Sequence, residues 1–277
     1  MQTNRFPWRT LTLVATLTAG AASAVTVFAA QPATPTPTVR PLAVAISTST
    51  TMTETTTTTT TPPTPLLTPT EADRPAHRAA TLRPGDRGPR VRELQERLHS
   101  LGYWLGQRDG TYGGLTVQAV LAVQKVHGLR RDGIAGAAVF AALGTDPRPQ
   151  PVHGGPDRVE VDKERQVLYV VRGDVVQWVL NVSTGTETRY WANGRSMLAD
   201  TPSGRWSVTR VHDGWKRGEL GSIYRPRFFH RDGIAVHGHR DVPAHPASHG
   251  CVRVSFAAMD WIWSAALMPA GSEVWVY

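Results

Sequence analysis

Residues 233–256, with the sequence GIAVHGHRDVPAHPASHGCVRVSF, hold most of the chemistry-bearing side chains of this 277-residue chain. Apolar residues from Ile234 to His237 predict a short strand, and a Pro-containing loop follows it. A helix is predicted from Phe256 to about Leu267, ending before Pro269 and Gly271. This part of the chain is therefore expected to be strand-rich with one helix.

Cys251 is the only cysteine, which excludes an intramolecular disulfide and makes its thiol a candidate nucleophile. A thiolate attacks carbonyl carbons, and a nearby imidazole lowers the thiol pKa and later returns the proton. His237 and His249 are the candidate partners. Gly238 and Gly250 admit close backbone approach, and the amides of Gly250 and Cys251 are suited to bind an oxyanion.

Two other interpretations of the same residues exist. A lone buried cysteine is commonly an inert core residue, and a lone histidine is more often structural than catalytic. Zinc could in principle be bound by several side chains of the segment, namely His237, His239, His245, His249 and Cys251. The Gly-Cys pair directly after Ser248-His249 favours a nucleophile over a closed metal site, so no metal or organic cofactor is expected.

The region from residue 157 to 277 has the apolar period of two that is typical of strands. Val159 and Val161 are followed by Val167, Tyr169 and Val171, and Gly173-Asp174 predicts a hairpin turn to a partner strand from Val175 to Val182. Further strands are predicted at Trp206–Val211 and Glu273–Tyr277. Short strands separated by turns favour a β-sandwich-like or β-rich α+β domain.

Residues 79–146 have helical periodicity instead. A first helix carries the stripe Val91, Leu94, Leu98 and Leu101; a second is expected to use Thr116 as its N-cap and to stop at Gly128; a third spans Ala137–Leu143. The expected architecture is a small three-helix bundle.

The N-terminal residues predict export. Arg5 and Arg9 precede an apolar run from Leu11 to Ala22, and Ala22-Ser23-Ala24 suits signal peptidase, so residues 1–30 are interpreted as a signal peptide. The alternative is an uncleaved membrane anchor that continues to Ala30. Residues 31–78 are rich in Thr and Pro and are expected to form a disordered linker.

The composition and charge of the chain limit the classes of function and partner that it is expected to have. Hydrophobic residues make up 40% of the chain, which indicates folded domains, and the formal net charge is +8. The basic residues are scattered and form no stripe interleaved with aromatic residues, so nucleic-acid binding is not expected. Acidic wall polymers remain compatible with this charge.

The helical region resembles the peptidoglycan-binding domain found on many wall hydrolases and transpeptidases. The resemblance rests on a Gly-Asp-x-Gly start, a Leu-Gln pair, two Asp-Gly turns and a second Gln followed by Gly-Leu. Here these are Gly85, Asp86, Gly88, Leu94, Gln95, Asp109, Gly110, Gln124, Gly128, Leu129, Asp132 and Gly133. It departs from that pattern at Val123 and at Gly114-Leu115. The resemblance implies binding to glycan.

The strand-rich region resembles the catalytic domain of the YkuD-like L,D-transpeptidases. The residues that carry this resemblance are His237-Gly238, Ser248-His249-Gly250-Cys251 and Arg253, with Ser183-Thr184-Gly185, Thr201 to Gly204 and Tyr224 to Phe229 upstream. The resemblance implies that Cys251 is the nucleophile, that His237 is the general base and that His249 supports them. It also implies substrate binding by Ser248, Gly250, Arg253, Gly238 and Tyr224.

The implied activity is transfer on peptidoglycan stem peptides. Cys251 would attack the carbonyl between the third and fourth stem residues, and an amine of another stem would open the thioester, giving a 3→3 cross-link in cell wall biogenesis. Water as acceptor would give an L,D-carboxypeptidase, and a non-catalytic wall scaffold is the second alternative. β-Lactams are expected as covalent inhibitors. The helical region is expected to act as a separable anchor; the alternative is a spacer that packs against the catalytic domain.

Overall fold

The computed structural model describes residues 81–145, 148–192 and 194–277. The predicted export segment, residues 1–30, and the predicted linker, residues 31–78, lie outside the described residues. Within the described ranges no helix has the length and apolar character needed to cross a membrane. A helical region is followed by a strand-rich region with one helix, as the sequence predicts.

Three helices make up the first region: α1 (Pro89–Ser100), α2 (Gly114–Val126) and α3 (Ala137–Thr145). The predicted stripe of α1 is buried at Val91, Leu94 and Leu98. The predicted N-cap of α2 is wrong, because Gly113 occupies the cap position. Thr116 lies inside the first turn, where its hydroxyl accepts a hydrogen bond of 3.0 Å from the Gln95 side chain.

Two buried glutamines hold the two Asp-Gly turns. The Gln95 amide group donates to Asp109 Oδ1 and its carbonyl oxygen accepts from the Gly110 amide. Gln124 repeats this arrangement with Asp132 and Gly133. The Gln and Asp-Gly signature residues therefore stabilise the fold of the helical region through hydrogen bonds.

In its described residues the second region contains twelve strands and α4 (Phe256–Ser264). The strands are β1 (Arg158–Asp162), β2 (Val167–Arg172), β3 (Val175–Asn181), β4 (Arg189–Ala192), β5 (Arg195–Leu198), β6 (Gly204–Ser207), β7 (Arg210–Val211), β8 (Trp215–Gly218), β9 (Gly221–Phe228), β10 (Ala235–His239), β11 (Val252–Ser255) and β12 (Glu273–Val276). Both turn residues between β2 and β3 have positive φ, 53° at Gly173 and 61° at Asp174, as a type I′ hairpin requires.

Two sheets enclose the main core. One has the order β3-β2-β1-β12-β6, and the other has the order β11-β10-β9-β7 with β8 added at β9. Apolar side chains of both sheets pack together, among them Val161, Leu168 and Val236, and Met259 and Ile262 of α4 complete the cluster. Two packed sheets with one helix agree with the expected β-rich fold.

A second core joins the helices to the outer face of β2 and β3. Successive strand residues point to opposite faces, so Leu168 and Val170 enter the core between the sheets, whereas Val167, Tyr169 and Val171 pack with the helices. Strand β2 is consequently buried on both faces. The helical and strand-rich regions thus share a hydrophobic core, contrary to the expected separable anchor.

Some predicted boundaries differ from the observed ones. The single strand expected at Trp206–Val211 is divided between β6 and β7, and α4 ends at Ser264 rather than near Leu267. The hairpins β4–β5 and β8–β9 were not predicted, although both flank the site described next.

Candidate active site

Cys251 directly precedes β11 and is half-buried. Strands β10 and β11 run parallel, with Val236 opposite Val252 and His237 opposite Arg253. Because Val236 and Val252 enter the core, the alternate residues His237 and Cys251 share the opposite face. The strand pairing thus brings the predicted nucleophile and the predicted base to one surface.

Two cavities open on this surface and both are lined by Cys251. A cavity of about 130 Å³ is also lined by His237, His249 and Arg253. A cavity of about 260 Å³ lies between the hairpins β4–β5 and β8–β9. The two cavities therefore adjoin at the thiol.

Burial raises the pKa of the Cys251 thiol above its ordinary value. A hydrogen bond with the Ala235 backbone and the positive charge of Arg253 act in the opposite direction but do not outweigh burial. The sulfur lies 3.9 Å from the Gly233 carbonyl oxygen, within the range of a weak thiol hydrogen bond. In the resting protein Cys251 is therefore a protonated thiol.

His237 is buried, with 3% of its surface exposed, and burial lowers its pKa to about 4. Its Nδ1 lies 2.9 Å from the Gly238 carbonyl oxygen, so Nδ1 carries the ring proton and Nε2 has a lone pair. The His237 side chain is thus neutral at pH 7. The expectation that this imidazole lowers the thiol pKa does not hold in the resting protein, where both groups are uncharged.

Ser248 and Gly250 shape the turn before the thiol. Ser248 is buried, and its hydroxyl donates to the Cys251 carbonyl oxygen at 2.5 Å and accepts from the Gly250 amide at 3.0 Å. Gly250 has φ 132°, and a Cβ there would lie 2.6 Å from the Asp200 carbonyl oxygen. Of the two amides expected to bind an oxyanion, Gly250 is engaged by Ser248, which leaves that of Cys251.

Arg253 and His249 both line the smaller cavity. Burial lowers the pKa of Arg253, while Asp241 and Cys251 raise it. The His249 ring meets the edge of Tyr190, with 4.7 Å between ring centroids. Either side chain is placed to contact a bound peptide.

Gly238 and Tyr224 lie on the other side of β10. A Cβ at Gly238 would approach Tyr224 to 2.9 Å and the Met259 Cβ to 3.1 Å. The Tyr224 ring packs against Trp215 and Phe256. Neither residue is among those that line the two cavities, so both lie on the face of β10 opposite His237.

The two hairpins bring to the cavities residues that are not among the predicted site residues. Tyr190 and Met197 come from β4–β5, and Lys216 and Ile223 come from β8–β9. The dipeptide Asn193-Gly194 between two short apolar stretches is a strong hairpin signal and would have predicted β4–β5.

Four of the five potential zinc ligands, His237, His239, His249 and Cys251, line the smaller cavity. His245 is exposed, and the rings of His237 and His239 are 6.1 Å apart and nearly perpendicular. Throughout the described part of the chain, no group of three or more His, Cys, Asp or Glu side chains is arranged to hold a metal ion.

Two family models match the chain. Residues 87–143 match the model of a peptidoglycan binding domain, and residues 156–276 match the model of the L,D-transpeptidase catalytic domain. Two curated N-acetylmuramoyl-L-alanine amidases of Bacillus licheniformis are 42% and 45% identical over 64 residues. That match covers 22% of this chain and 18% of each amidase.

Solved structures extend the comparison. The crystal structure of an L,D-transpeptidase from Xylanimonas cellulosilytica is 44% identical, with a TM-score of 0.68, and the match covers 71% of this chain and 97% of that one. An L,D-transpeptidase from Stackebrandtia nassauensis is 21% identical with a TM-score of 0.40, over 71% of this chain and 94% of that one.

Proposed function

The chain belongs to the L,D-transpeptidase family, and on this premise we propose that it is a cysteine acyltransferase with Cys251 as nucleophile and His237 as general base. Its two matched domains imply work on peptidoglycan in the extracytoplasmic cell wall. The observation that carries the proposal is the pairing of β10 with β11, which puts a thiol and a neutral imidazole on one face where two cavities meet.

Acylation begins when the Cys251 sulfur attacks the carbonyl carbon between the third and fourth residues of a donor stem. The thiol proton passes to His237 Nε2, and the Cys251 amide donates to the oxyanion that forms. The carbon–nitrogen bond then breaks. The leaving D-Ala takes the proton from His237, so that a thioester and a neutral histidine remain.

Transfer completes the cycle when the side-chain amine of an acceptor stem attacks the thioester. The amine proton moves to His237, the carbon–sulfur bond breaks, and the sulfur recovers the proton as a thiol. A 3→3 cross-link results. Two cavities that share Cys251 suit this sequence, because the donor can occupy one side while the acceptor arrives from the other.

The remaining site residues orient the reaction. We assign Arg253 to a substrate carboxylate, since a guanidinium binds carboxylates through paired hydrogen bonds, and His249 to a contact with the stem. Ser248 and Gly250 fix the turn that carries the thiol. Gly238 and Tyr224 act from behind β10, as supports for His237 rather than as direct contacts.

The helical region is proposed to bind peptidoglycan, and the segments before it to direct export through residues 1–30 and to form the linker of residues 31–78. β-Lactams are proposed to acylate Cys251, because an amide-like carbonyl that reaches the thiol meets the same base and oxyanion donor. No metal or organic cofactor enters this mechanism.

Incubation of the full chain with a disaccharide tetrapeptide, read by mass spectrometry, tests the proposal. A dimer that has lost one D-Ala indicates transfer, and a disaccharide tripeptide indicates carboxypeptidase activity. Cys251→Ala is expected to abolish both products without loss of the folded state. The control is His245→Ala, which changes an exposed histidine of the same segment and should leave both products unchanged.

Turnover by Cys251→Ala would refute the thioester mechanism. Absence of any product from the wild-type chain, with retained binding to insoluble peptidoglycan, would favour the scaffold alternative instead.

A further inference from the structure

Lys125 of α2 is a buried cation that the proposed mechanism does not use. Only 1% of its surface is exposed, and its ammonium donates to the carbonyl oxygens of Gln166 at 3.0 Å and Val182 at 2.9 Å and to Asn181 Oδ1. Three acceptors satisfy the three donors of an ammonium. Burial still lowers its pKa to about 7, which reflects the cost of placing this charge inside the protein.

Two of the three acceptors of Lys125, Asn181 and Val182, belong to a segment that also holds the turn before Cys251. This bridging segment, residues 181–186, begins at the last residue of β3. Ser183 exchanges backbone hydrogen bonds with Arg253 at 3.2 and 2.9 Å. The Thr184 carbonyl oxygen accepts from the amides of Ala247 and Ser248, at 3.1 and 3.0 Å. One short segment therefore contacts Lys125 on one side and the catalytic turn on the other.

Helix α2 also touches the loop between β10 and Cys251 directly. Gln118 donates to the Val242 carbonyl oxygen at 3.3 Å and accepts from Asn181 at 2.6 Å. Asn181 donates to the same Val242 oxygen at 3.1 Å. Arg131 reaches the Ala244 carbonyl oxygen at 3.4 Å. The helical region thus holds this loop at two places.

We propose that Lys125 is a positioning residue for the nucleophile: it fixes residues 181–186, and through them the turn that carries Cys251. This inference rests on the proposed role of Cys251. Its consequence is that the peptidoglycan-binding region is a working part of the catalytic site, because residues of α2 set the geometry of a loop in the other region. Small displacements at a reacting group cost large factors in rate.

A pair of neighbouring buried residues supplies the test. Lys125→Met removes the contacts to residues 166 and 181–182, whereas Gln124→Met removes equally buried hydrogen bonds that stay inside the helical region. Both full-length variants are measured well below their melting temperatures. Lys125→Met is expected to lower kcat about 10- to 100-fold and to change the rate of Cys251 alkylation by iodoacetamide. Gln124→Met is expected to lower the melting temperature alone.

Equal kcat and alkylation rates in both variants and the wild type would overturn the proposal and leave Lys125 a purely structural role. If Lys125→Met does not fold, Gln118→Leu, whose side chain is half-buried, replaces it: a fall in kcat with an altered alkylation rate supports the proposal, and unchanged values overturn it. Cys251→Ala in the same assay separates the proposed role of Cys251 from that of Lys125. Turnover by Cys251→Ala would refute the role of Cys251 as nucleophile, whatever the result with Lys125→Met.

Discussion

Burial keeps His237 uncharged, which suits the role of general base that we propose for it. Desolvation lowers its pKa to about 4, so the imidazole is uncharged at neutral pH and its Nε2 can accept a proton. The same burial raises the pKa of Cys251. The thiol and the imidazole are therefore both uncharged in the resting protein. In the proposed mechanism, charge develops only when a substrate carbonyl is attacked.

This neutral pair predicts a specific pH dependence. The rate of Cys251 alkylation should rise with pH, with a midpoint above the ordinary thiol value of about 8.5, because alkylation needs the thiolate. His237→Ala should leave that midpoint nearly unchanged, since a neutral imidazole offers no charge, yet slow acylation by a stem peptide about 100-fold or more. Wild-type turnover should be lost as the pH falls through about 4, where His237 takes up a proton.

Alkylation profiles and single-turnover acylation rates of the wild type and His237→Ala check this prediction. A wild-type midpoint below pH 7, or a large rise of the midpoint in His237→Ala, would instead indicate a thiolate–imidazolium pair at rest.

At the scale of elements, two hairpins form the walls of the larger cavity. Lys216 of β8 lies opposite Ile223 of β9, and both line the cavity beside Cys251. The other lysines of the chain are already engaged, Lys125 inside the protein and Lys163 with Glu187 and Asp200. Lys216 is therefore the lysine available to a bound peptide.

Charge reversal at this hairpin should change substrate affinity. Lys216→Glu is expected to raise KM about fivefold for a stem with free carboxylates and to leave KM for an amidated stem nearly unchanged, because an exposed ion pair contributes roughly 1 kcal/mol. Arg92→Glu, the same change on an exposed position of α1, is the control. Steady-state kinetics at low and high salt measure the effect, and equal KM changes for both stems would contradict it.

The elements differ in how far sequence could predict them. The stripe of α1 and the Gly173-Asp174 hairpin follow local rules, and both were predicted. Thr116 was misread as a cap because its hydroxyl binds Gln95, a partner 21 residues away that local patterns do not reveal. Of the hairpins beside Cys251, β4–β5 carries the Asn193-Gly194 turn signal. Its strands are short and contain exposed aromatic residues, such as Trp191 with 74% exposed, so they lack the clean alternation of a half-buried strand.

At the scale of the whole molecule, the two regions share one core. The sequence contained a signal for this, since Leu168 and Val170 interrupt the expected alternation of β2 with further apolar residues. A strand that is apolar on both faces needs cover on both faces. Five side chains of β2 and β3 are buried against the helices: Val167, Tyr169, Val171, Val176 and Val179.

Removal of the helical region should therefore damage the catalytic region. A chain of residues 157–277 would expose these five side chains, whose burial contributes roughly 1.5 to 3 kcal/mol each, a sum comparable with the whole stability of a domain. We expect it to aggregate or to melt well below the full chain, with little turnover on a soluble stem peptide. Calorimetry, light scattering and kinetics test this. A monomeric fragment with the melting temperature and kcat of the full chain would instead support the hypothesis that the helical region is a separable anchor.

The protonated state of Cys251 also affects how long the enzyme survives between turnovers. Oxidants react with thiolates much faster than with thiols, and the chain has no second cysteine to rescue a sulfenic acid as a disulfide. In the wall, outside the reducing cytoplasm, a resting thiolate would be steadily lost. If Cys251 is the nucleophile, as we propose, burial protects it from oxidation between turnovers by keeping the proton on the sulfur.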